Sequence, residues 1–490
     1  MTPELLLAPE LLPFLVGGVL LGIVVGAVPG LTATLAISLL LPLTYQLAPL
    51  PAIVMMTGIF TGGIYGGSIA AITLRIPGAP ASAMTMLDGY AMAQRGKAGS
   101  AIAMATFSSF VGGIFGGVVL VLFAPQLARV ALTFQSPEMF ALVVLALIAV
   151  ATVSRESLPK SMTATVIGLM LATVGIDRLV PVPRYTFASV DLLVGVPLIP
   201  VVIGLFAVTE LLHQSGESGE AVRPSEAQPG LGAGRLAALW SDVRSVRIGV
   251  WVKSPIIGTL VGALPGAGAA MAAFLSYSEA KRSSAEPERF GSGVPEGIVA
   301  PEAANNAMTG GAFIPMLALG IPGDAVTAVI LGGLVVHGIT PGPQLFGEAS
   351  ELLAPLFGAY FWSYVLILVF GLALIPVFVR ITRVPRGILF PVIGSLAIVA
   401  AFTSEGTTFA MYLTAGVGVL GFVLRRYGYP LIPVLLGLIL GPMLESNLRR
   451  SLILSQGDAT VFLRSPIAAG LLLAAAAFPL LMLRRRRIDS

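Results

Sequence analysis

The sequence predicts an all-α polytopic membrane protein of about 12 transmembrane helices, in two sequence-related and inverted repeats whose helices are broken at Pro-Gly pairs. Three observations predict it. First, 11% of the 490 residues are charged, 56% are hydrophobic, and mean hydropathy is +0.94. A soluble domain carries about 25% charged residues, enough to cover a water-facing surface, and this chain does not. Second, Leu11–Leu74, Ala98–Ala128, Ser254–Ser278 and Ala303–Gly323 contain no Asp, Glu, Lys or Arg. Each is long enough for at least one spanning helix of about 20 residues. Third, two Pro-Gly motifs recur in the same order in both halves.

The segments follow in order. The N-terminal MTPELLLAPELL has two Glu and no basic residue. It lacks the basic region of a signal peptide and is expected to face outside. The first membrane repeat spans 11–212. A polar linker covers 213–250, rich in Gly, Ser and Pro, with Glu217, Glu220, Arg223, Glu226, Arg235, Asp242, Arg244 and Arg247. It reads as a flexible connection. The second repeat spans 251–445. A final helix and basic tail, Arg484–Arg487, occupy 466–490. Those arginines place the C-terminus in the cytoplasm by the positive-inside rule.

The repeat rests on two matched strings. Gly18–Leu39 matches Ser254–Leu275, with Pro29-Gly30 against Pro265-Gly266, an offset of 236 positions (265 − 29). Gly66–Gly89 matches Gly310–Gly333, with Pro77-Gly78 against Pro322-Gly323, an offset of 245 (322 − 77). A fainter echo pairs PLIPV at Pro197 with PLIPV at Pro430. Loop charge points to inversion. Arg95 and Lys97 follow the first IPG element, whereas Gly338–Gln344 after the second is uncharged. Conversely, Gln46–Pro51 is uncharged while its counterpart carries Lys281, Arg282 and Arg289.

Composition also excludes chemistry. There is no Cys, so disulfides, thiolate metal sites and cysteine nucleophiles are absent. The two His, His213 and His337, read as incidental polar residues, and a zinc site cannot be assembled. Net charge is +4, but basic residues sit in short loops and the tail, which does not suggest nucleic-acid binding.

A Pro-Gly pair inside an apolar run breaks a helix, and broken helices free backbone groups for ligands at membrane depth. Candidate substrate-binding residues are therefore Thr61, Gly62, Ser68, Arg75, Pro77 and Gly78 in the first half. In the second half they are Asn305, Asn306, Thr309, Pro322 and Gly323. Candidate ion-binding residues are Pro29, Gly30, Thr32, Pro265, Gly266, Gly268 and Glu302. Carboxylates in apolar segments are functional candidates by default, which adds Asp88, Glu296 and Asp324. Each candidate has a plainer reading: a packing kink for the breaks, a snorkelling Arg75, and helix-start or loop roles for Asp88 and Asp324.

The strings VGAVPGLTATLAISLLLPLTY, TGGIYGGSIAAI, IPGAPASAMTMLDGYAMAQRGKAGSAI, FGSGVPEGIVAPEAANNAMTGGAFIPMLALGIPGD and GITPGPQLF resemble the large membrane subunit of tripartite tricarboxylate transporters, TctA. The resemblance covers roughly Gly17 to Leu444. It implies a multi-pass protein of the bacterial inner membrane that imports a citrate-like di- or tricarboxylate on a sodium or proton gradient, without ATP. It implies a small membrane subunit of about four spans and a periplasmic solute-binding protein as partners, and no cofactor beyond a coupling sodium ion. The position of Arg75 is often Asn in that family, and this departure bears on the substrate. No GxxxxGK[ST] phosphate loop is present, in line with transport without ATP. The rival classes are a transporter working without a binding protein, a passive channel and an intramembrane enzyme. The last would have to rely on Asp88, Glu302 and Asp324.

Overall fold

The helices begin and end where local chemistry dictates. The computed structural model describes residues 8–44, 46–153, 157–177, 179–215, 240–347, 350–377 and 386–488. The main helices are α1 Leu12–Ala27, α2 Ala33–Thr44, α3 Pro49–Leu74, α4 Thr85–Met92, α5 Ala98–Ala131, α6 Ser136–Val153, α7 Leu158–Ala172 and α8 Leu198–Ser215. After the linker come α9 Ile248–Gly262, α10 Gly268–Arg282, α11 Glu296–Leu319 and α12 Ala325–Val336. The last five are α13 Leu353–Ala373, α14 Arg386–Glu405, α15 Thr408–Arg426, α16 Leu431–Leu454 and α17 Pro466–Ile488. Of the linker, Glu217, Glu220, Arg223, Glu226 and Arg235 lie outside the described residues. Among the described residues, the strands form a single two-residue antiparallel ribbon, Gly175–Ile176 with Pro183–Arg184.

Eight helices are long and apolar enough to cross a membrane, and six shorter apolar helices accompany them among the described residues. The protein is therefore a multi-pass membrane protein. The shortness of α2, α9 and α12 has a local cause: each abuts a Pro-Gly break. Helix starts are capped where side chains allow. Thr32 accepts from Leu35 N–H at 3.2 Å, and Asp324 and Thr327 form a reciprocal capping box at the start of α12.

The chain forms two compact units, each drawing on both halves of the sequence. One comprises Met1–Leu127 with Gln214–Leu396, the other Ala128–His213 with Ala397–Ser490. In the first unit, α3 and α11 are the buried centre. Every residue of α11 from Gly297 to Leu319 is buried, and so is α3 from Ala52 to Leu74 apart from Met55. Small residues bring neighbouring backbones together, as is usual for membrane helices. Gly18, Gly22 and Gly26 of α1 lie against the Met55, Ile59 and Gly63 carbonyls of α3. Gly258 and Gly262 of α9 lie against the Ala304 and Met308 carbonyls of α11. Both pairs run parallel.

The matched strings share this geometry position by position. Gly30 and Gly266 both have positive φ, 85° and 80°. Arg75 and Gly320, which the 245 offset pairs, both end their helices in the left-handed region, at φ 58° and 71°. A Cβ on Gly78 would strike the Gly26 carbonyl and Gly67, and one on Gly323 would strike the Gly262 carbonyl and Ala312. Residues 26 and 262 are paired by the first offset, and 67 and 312 by the second. Meanwhile α3 and α11 pass each other in opposite senses. The Phe60 and Phe313 rings meet at 5.6 Å, and the segment after α3 reaches the start of α11.

In the second unit, α7 and α16 run parallel, with Gly168 against Gly437 and Gly441 against Ala172. Likewise α8 runs parallel to α15, through Thr414 to Pro200 O at 3.2 Å and Thr209 to Gly418 O at 3.1 Å. The Lys160 ammonium donates to Tyr427 O at 2.6 Å, and Arg425 pairs with Glu210. The end of α8 and the start of α16 thus lie at one end, so the two PLIPV helices run in opposite senses.

Candidate functional site: a buried polar cluster on α11

The sequence of α11 places Glu302, Asn305, Asn306 and Thr309 three and four residues apart, so their side chains share one helix face. That face is fully buried, all four residues having 0% exposure. Glu302 accepts from Thr85 Oγ1 at 2.5 Å, from Ser109 Oγ at 3.1 Å and from Asn305 Nδ2 at 3.4 Å. Asn306 Nδ2 donates to Ser109 Oγ at 2.8 Å, to Glu302 O at 3.0 Å and to Asn305 Oδ1 at 2.6 Å. These acceptors fix the orientation of the Asn306 amide and leave its Oδ1 buried without a hydrogen-bond partner. Thr309 Oγ1 meets Tyr360 and Tyr364 hydroxyls, each at 2.8 Å, and Tyr364 also donates to Asn306 O at 3.0 Å.

Every hydrogen-bond donor to Glu302 is thus neutral. A carboxylate removed from water without an opposite charge is costly by several kcal/mol. Such a group is retained where it binds a proton or a cation. The arrangement offers oxygens suited to a small cation: two from Glu302, Asn306 Oδ1, and the lone pairs of Thr85 and Ser109.

The first-half candidates behave differently. Thr61 Oγ1 donates to Thr57 O at 3.1 Å and Gly58 O at 3.2 Å, and Ser68 Oγ donates to Tyr65 O at 2.6 Å. Their protons are spent on their own helix, leaving only lone pairs to offer. Gly62 lies against Val19 O of α1. Arg75 is exposed, with its guanidinium carbon 5.7 Å from the Tyr90 ring centroid. Beyond it, Pro77 and Gly78 turn the chain, Gly78 N–H donating to Gly67 O at 3.3 Å. Ser82 Oγ lies close beside Gly67 and is buried without a partner.

The structure joins Gly266 to Gly323 directly, by an N–H to carbonyl bond of 2.8 Å. Pro265 and Pro322 therefore belong to one turn region, close to Gly268, which has φ 66°. On the first-half side, Gly30 O accepts instead from Gln214 Nε2 at 2.9 Å, next to Pro29 and the capping Thr32.

Three carboxylates take structural roles. Asp88 accepts from Tyr277 OH at 2.9 Å and from the N–H groups of Gly291, Gly293 and Val294 at 2.8–3.0 Å, so it holds the loop before α11. Asp324 caps α12. Glu296 pairs with Arg247, which also donates to the Ser283 and Ala280 carbonyls. His337 closes α12 with Nε2 3.5 Å from Thr44 Oγ1, and His213 lies in the last turn of α8. Sequence reasoning missed Thr85, Ser109, Tyr360 and Tyr364. Their one visible signal was a hydroxyl in an otherwise apolar stretch.

A buried polar face on a helix flanked by matched breaks is the layout of a transport protein. The sequence matches the tripartite tricarboxylate transporter TctA family over residues 12–436. The chain belongs to that family. It is a transport protein and not an enzyme, and family membership implies partner subunits. Two relatives come from Agrobacterium vitis. One, described as an uncharacterized 52.8 kDa protein in the TAR-I ttuC' 3' region, is 39% identical over 435 residues, covering 88% of this chain and 85% of the relative. The other, described as an uncharacterized protein in the TAR-II ttuC' 3' region, is 42% identical over 215 residues, covering 44% of this chain and 89% of the relative. No solved structure matches the chain.

Proposed function

We propose that this TctA-family chain imports a citrate-like di- or tricarboxylate across the bacterial inner membrane, driven by a sodium or proton gradient. The observation that carries this reading is the buried carboxylate of Glu302 with only neutral donors around it. The coupling cation, sodium or a proton, is assigned to Glu302 with Asn305, Asn306, Ser109 and Thr85. Thr61, Ser68 and Thr309, whose hydroxyl protons are committed or shared, supply oxygen lone pairs and suit the cation side better than the anion. The carboxylate is assigned to the IPG break of the first half, where Pro77 and Gly78 turn the chain, Ser82 keeps an unused hydroxyl and Arg75 stands at the surface. At the IPG break of the second half the start of α12 is already occupied by the Asp324 carboxylate, so it suits an anion less.

In this reading the two halves, 11–212 and 251–445, are inverted repeats. The opposed passage of α3 and α11, and of the two PLIPV helices, supports it. Short helices that meet at breaks complete crossings in pairs, which raises the eight long spans toward about 12. Lys160, Arg425, Arg426 and the tail mark the cytoplasmic side. The partners are a small membrane subunit and a periplasmic solute-binding protein that delivers the carboxylate.

The test is uptake of labelled citrate and a panel of other carboxylates into proteoliposomes holding the chain and its small membrane partner. Binding protein is added outside, and sodium and proton gradients are imposed separately. Gradient-driven uptake that needs the binding protein is expected. Absence of uptake of every carboxylate by folded protein overturns the reading.

A further inference from the structure

We propose that residues 179–197, in the stretch between α7 and α8, form the docking surface for the periplasmic solute-binding subunit. The proposal rests on the tripartite reading and the orientation given above.

The segment is irregular apart from its small ribbon, yet it is firmly held. Asp177, 7% exposed, accepts from Leu179 N–H at 2.8 Å and Val180 N–H at 2.9 Å. It pairs with Arg449 at 2.5 Å and Arg184 at 3.1 Å, and Arg184 in turn makes a two-point contact with Glu445 of α16. Two acids and two bases thus bind the segment to α16 with no net charge. Out of this base project Tyr185, Phe187, Val190 and Val194, which are 64%, 85%, 77% and 97% exposed. Tyr185, Phe187 and Ala188 all have left-handed backbone, at φ 53°, 48° and 60°. Side-chain-bearing residues rarely adopt it, and such strain is kept where the surroundings impose it and a function uses it.

The hydrocarbon core is unsuitable, because irregular backbone is not tolerated against lipid tails, and Asp191 in the segment is exposed. The segment therefore meets water or protein, and an apolar cluster facing water marks an interaction surface. Sidedness selects the protein. Both α7 and α16 run from the end bearing Lys160, Arg425 and Arg426 toward the Asp177 cluster. The positive-inside rule sets that basic end in the cytoplasm and the segment in the periplasm, where the solute-binding subunit resides. Rigid aromatic anchors on a fixed base suit an encounter that must form and release every cycle.

The test uses the full chain in membranes of its native host. A photo-crosslinking benzoylphenylalanine replaces Phe187, with Tyr427 at the opposite end as control, and adducts are identified by mass spectrometry. Because the chain has no Cys, V194C also reports sidedness by reaction with a membrane-impermeant maleimide. The expected result is a periplasmic solute-binding protein on position 187 and not on 427, with V194C labelled from outside. The double variant F187S/V194S, at unchanged membrane level, then loses binding-protein-dependent uptake by about tenfold or more at limiting binding protein. Adducts only with lipid, with the small membrane subunit or with a second copy overturn the proposal, as do no adduct and labelling from the cytoplasmic side. A captured binding protein that carries no carboxylate leaves the docking surface standing and overturns the substrate class. Carboxylate uptake with adducts elsewhere does the reverse.

Discussion

Glu302 accepts a 2.5 Å hydrogen bond from Thr85, a residue 217 positions earlier in the chain. The contact ties the start of α11 to the segment that leaves the Pro77-Gly78 break. It therefore links the proposed cation site to the proposed anion site through a single hydroxyl. Glu302→Gln keeps the volume and removes the charge. Since burying a charge costs more than burying an amide, the variant is expected to fold at least as stably as the parent. Gradient-driven uptake is expected to fall by about a hundredfold or more, because a driving cation would lose its only carboxylate. Uptake within a few-fold of the parent, at equal membrane level, would show that Glu302 is structural.

What the sequence revealed and what it hid follow from the range of the interactions. The Pro-Gly breaks were legible because helix breaking is local chemistry. Glu302, Asn305, Asn306 and Thr309 stood out as polar residues in an apolar stretch, divided between ion and substrate; that they share one buried helix face came from the structure. Ser109 and Thr85 were not legible, since a hydroxyl in a small-residue helix looks the same whether it packs or binds. Asp88 and Asp324 looked equally functional in sequence, each following an IPG element. Yet Asp324 caps its own helix, and Asp88 reaches a loop some 200 positions away. The crossings were harder to read than the composition, because a length rule misses α2, α9 and α12, which the breaks cut short.

The equivalence of the two breaks has a stability consequence. Gly78→Ala and Gly323→Ala each drive a methyl into backbone carbonyls, of Gly26 and Gly262 respectively, which cannot swing away as a side chain can. Overpacking of this kind costs about 1–3 kcal/mol. Both variants are expected to unfold earlier in a detergent denaturation series, by similar amounts. Gly17→Ala is the control: exposed on α1, with nothing near its new Cβ, it is expected to be neutral or slightly stabilising. A marked difference between Gly78→Ala and Gly323→Ala would argue against equivalent packing.

Arg75 occupies a left-handed position that its partner Gly320 fills without strain. Asn tolerates that conformation better than Arg, so Arg75→Asn is expected to relieve about 1 kcal/mol of backbone strain. If the guanidinium attracts the carboxylate, the same change raises KM for uptake by about threefold to tenfold while leaving kcat nearly unchanged, the size expected of a solvent-screened charge. A stabilised protein with an unchanged KM would assign Arg75 to its stacking on Tyr90 alone.

Asp177 carries the pH dependence of the loop between α7 and α8. Backbone N–H groups of Val180 and Leu179, and then Arg449, hold its carboxyl well below the usual carboxylate range. A group whose folded-state pKa is depressed stabilises the fold at every pH above its unfolded value, about 3.9, and loses that contribution as pH falls through the folded value. The melting temperature of Asp177→Asn is therefore expected to lie several degrees below the parent, by a constant margin from about pH 5 to pH 8. The margin should begin to narrow below about pH 4, where Asp177 of the unfolded chain takes up a proton, and close in strong acid once the folded protein's Asp177 is protonated too. If the margin changed between pH 5 and 8, another group would have to titrate against the cluster. The two arginines and Glu445 that complete it do not change charge in that interval, which excludes them as the source.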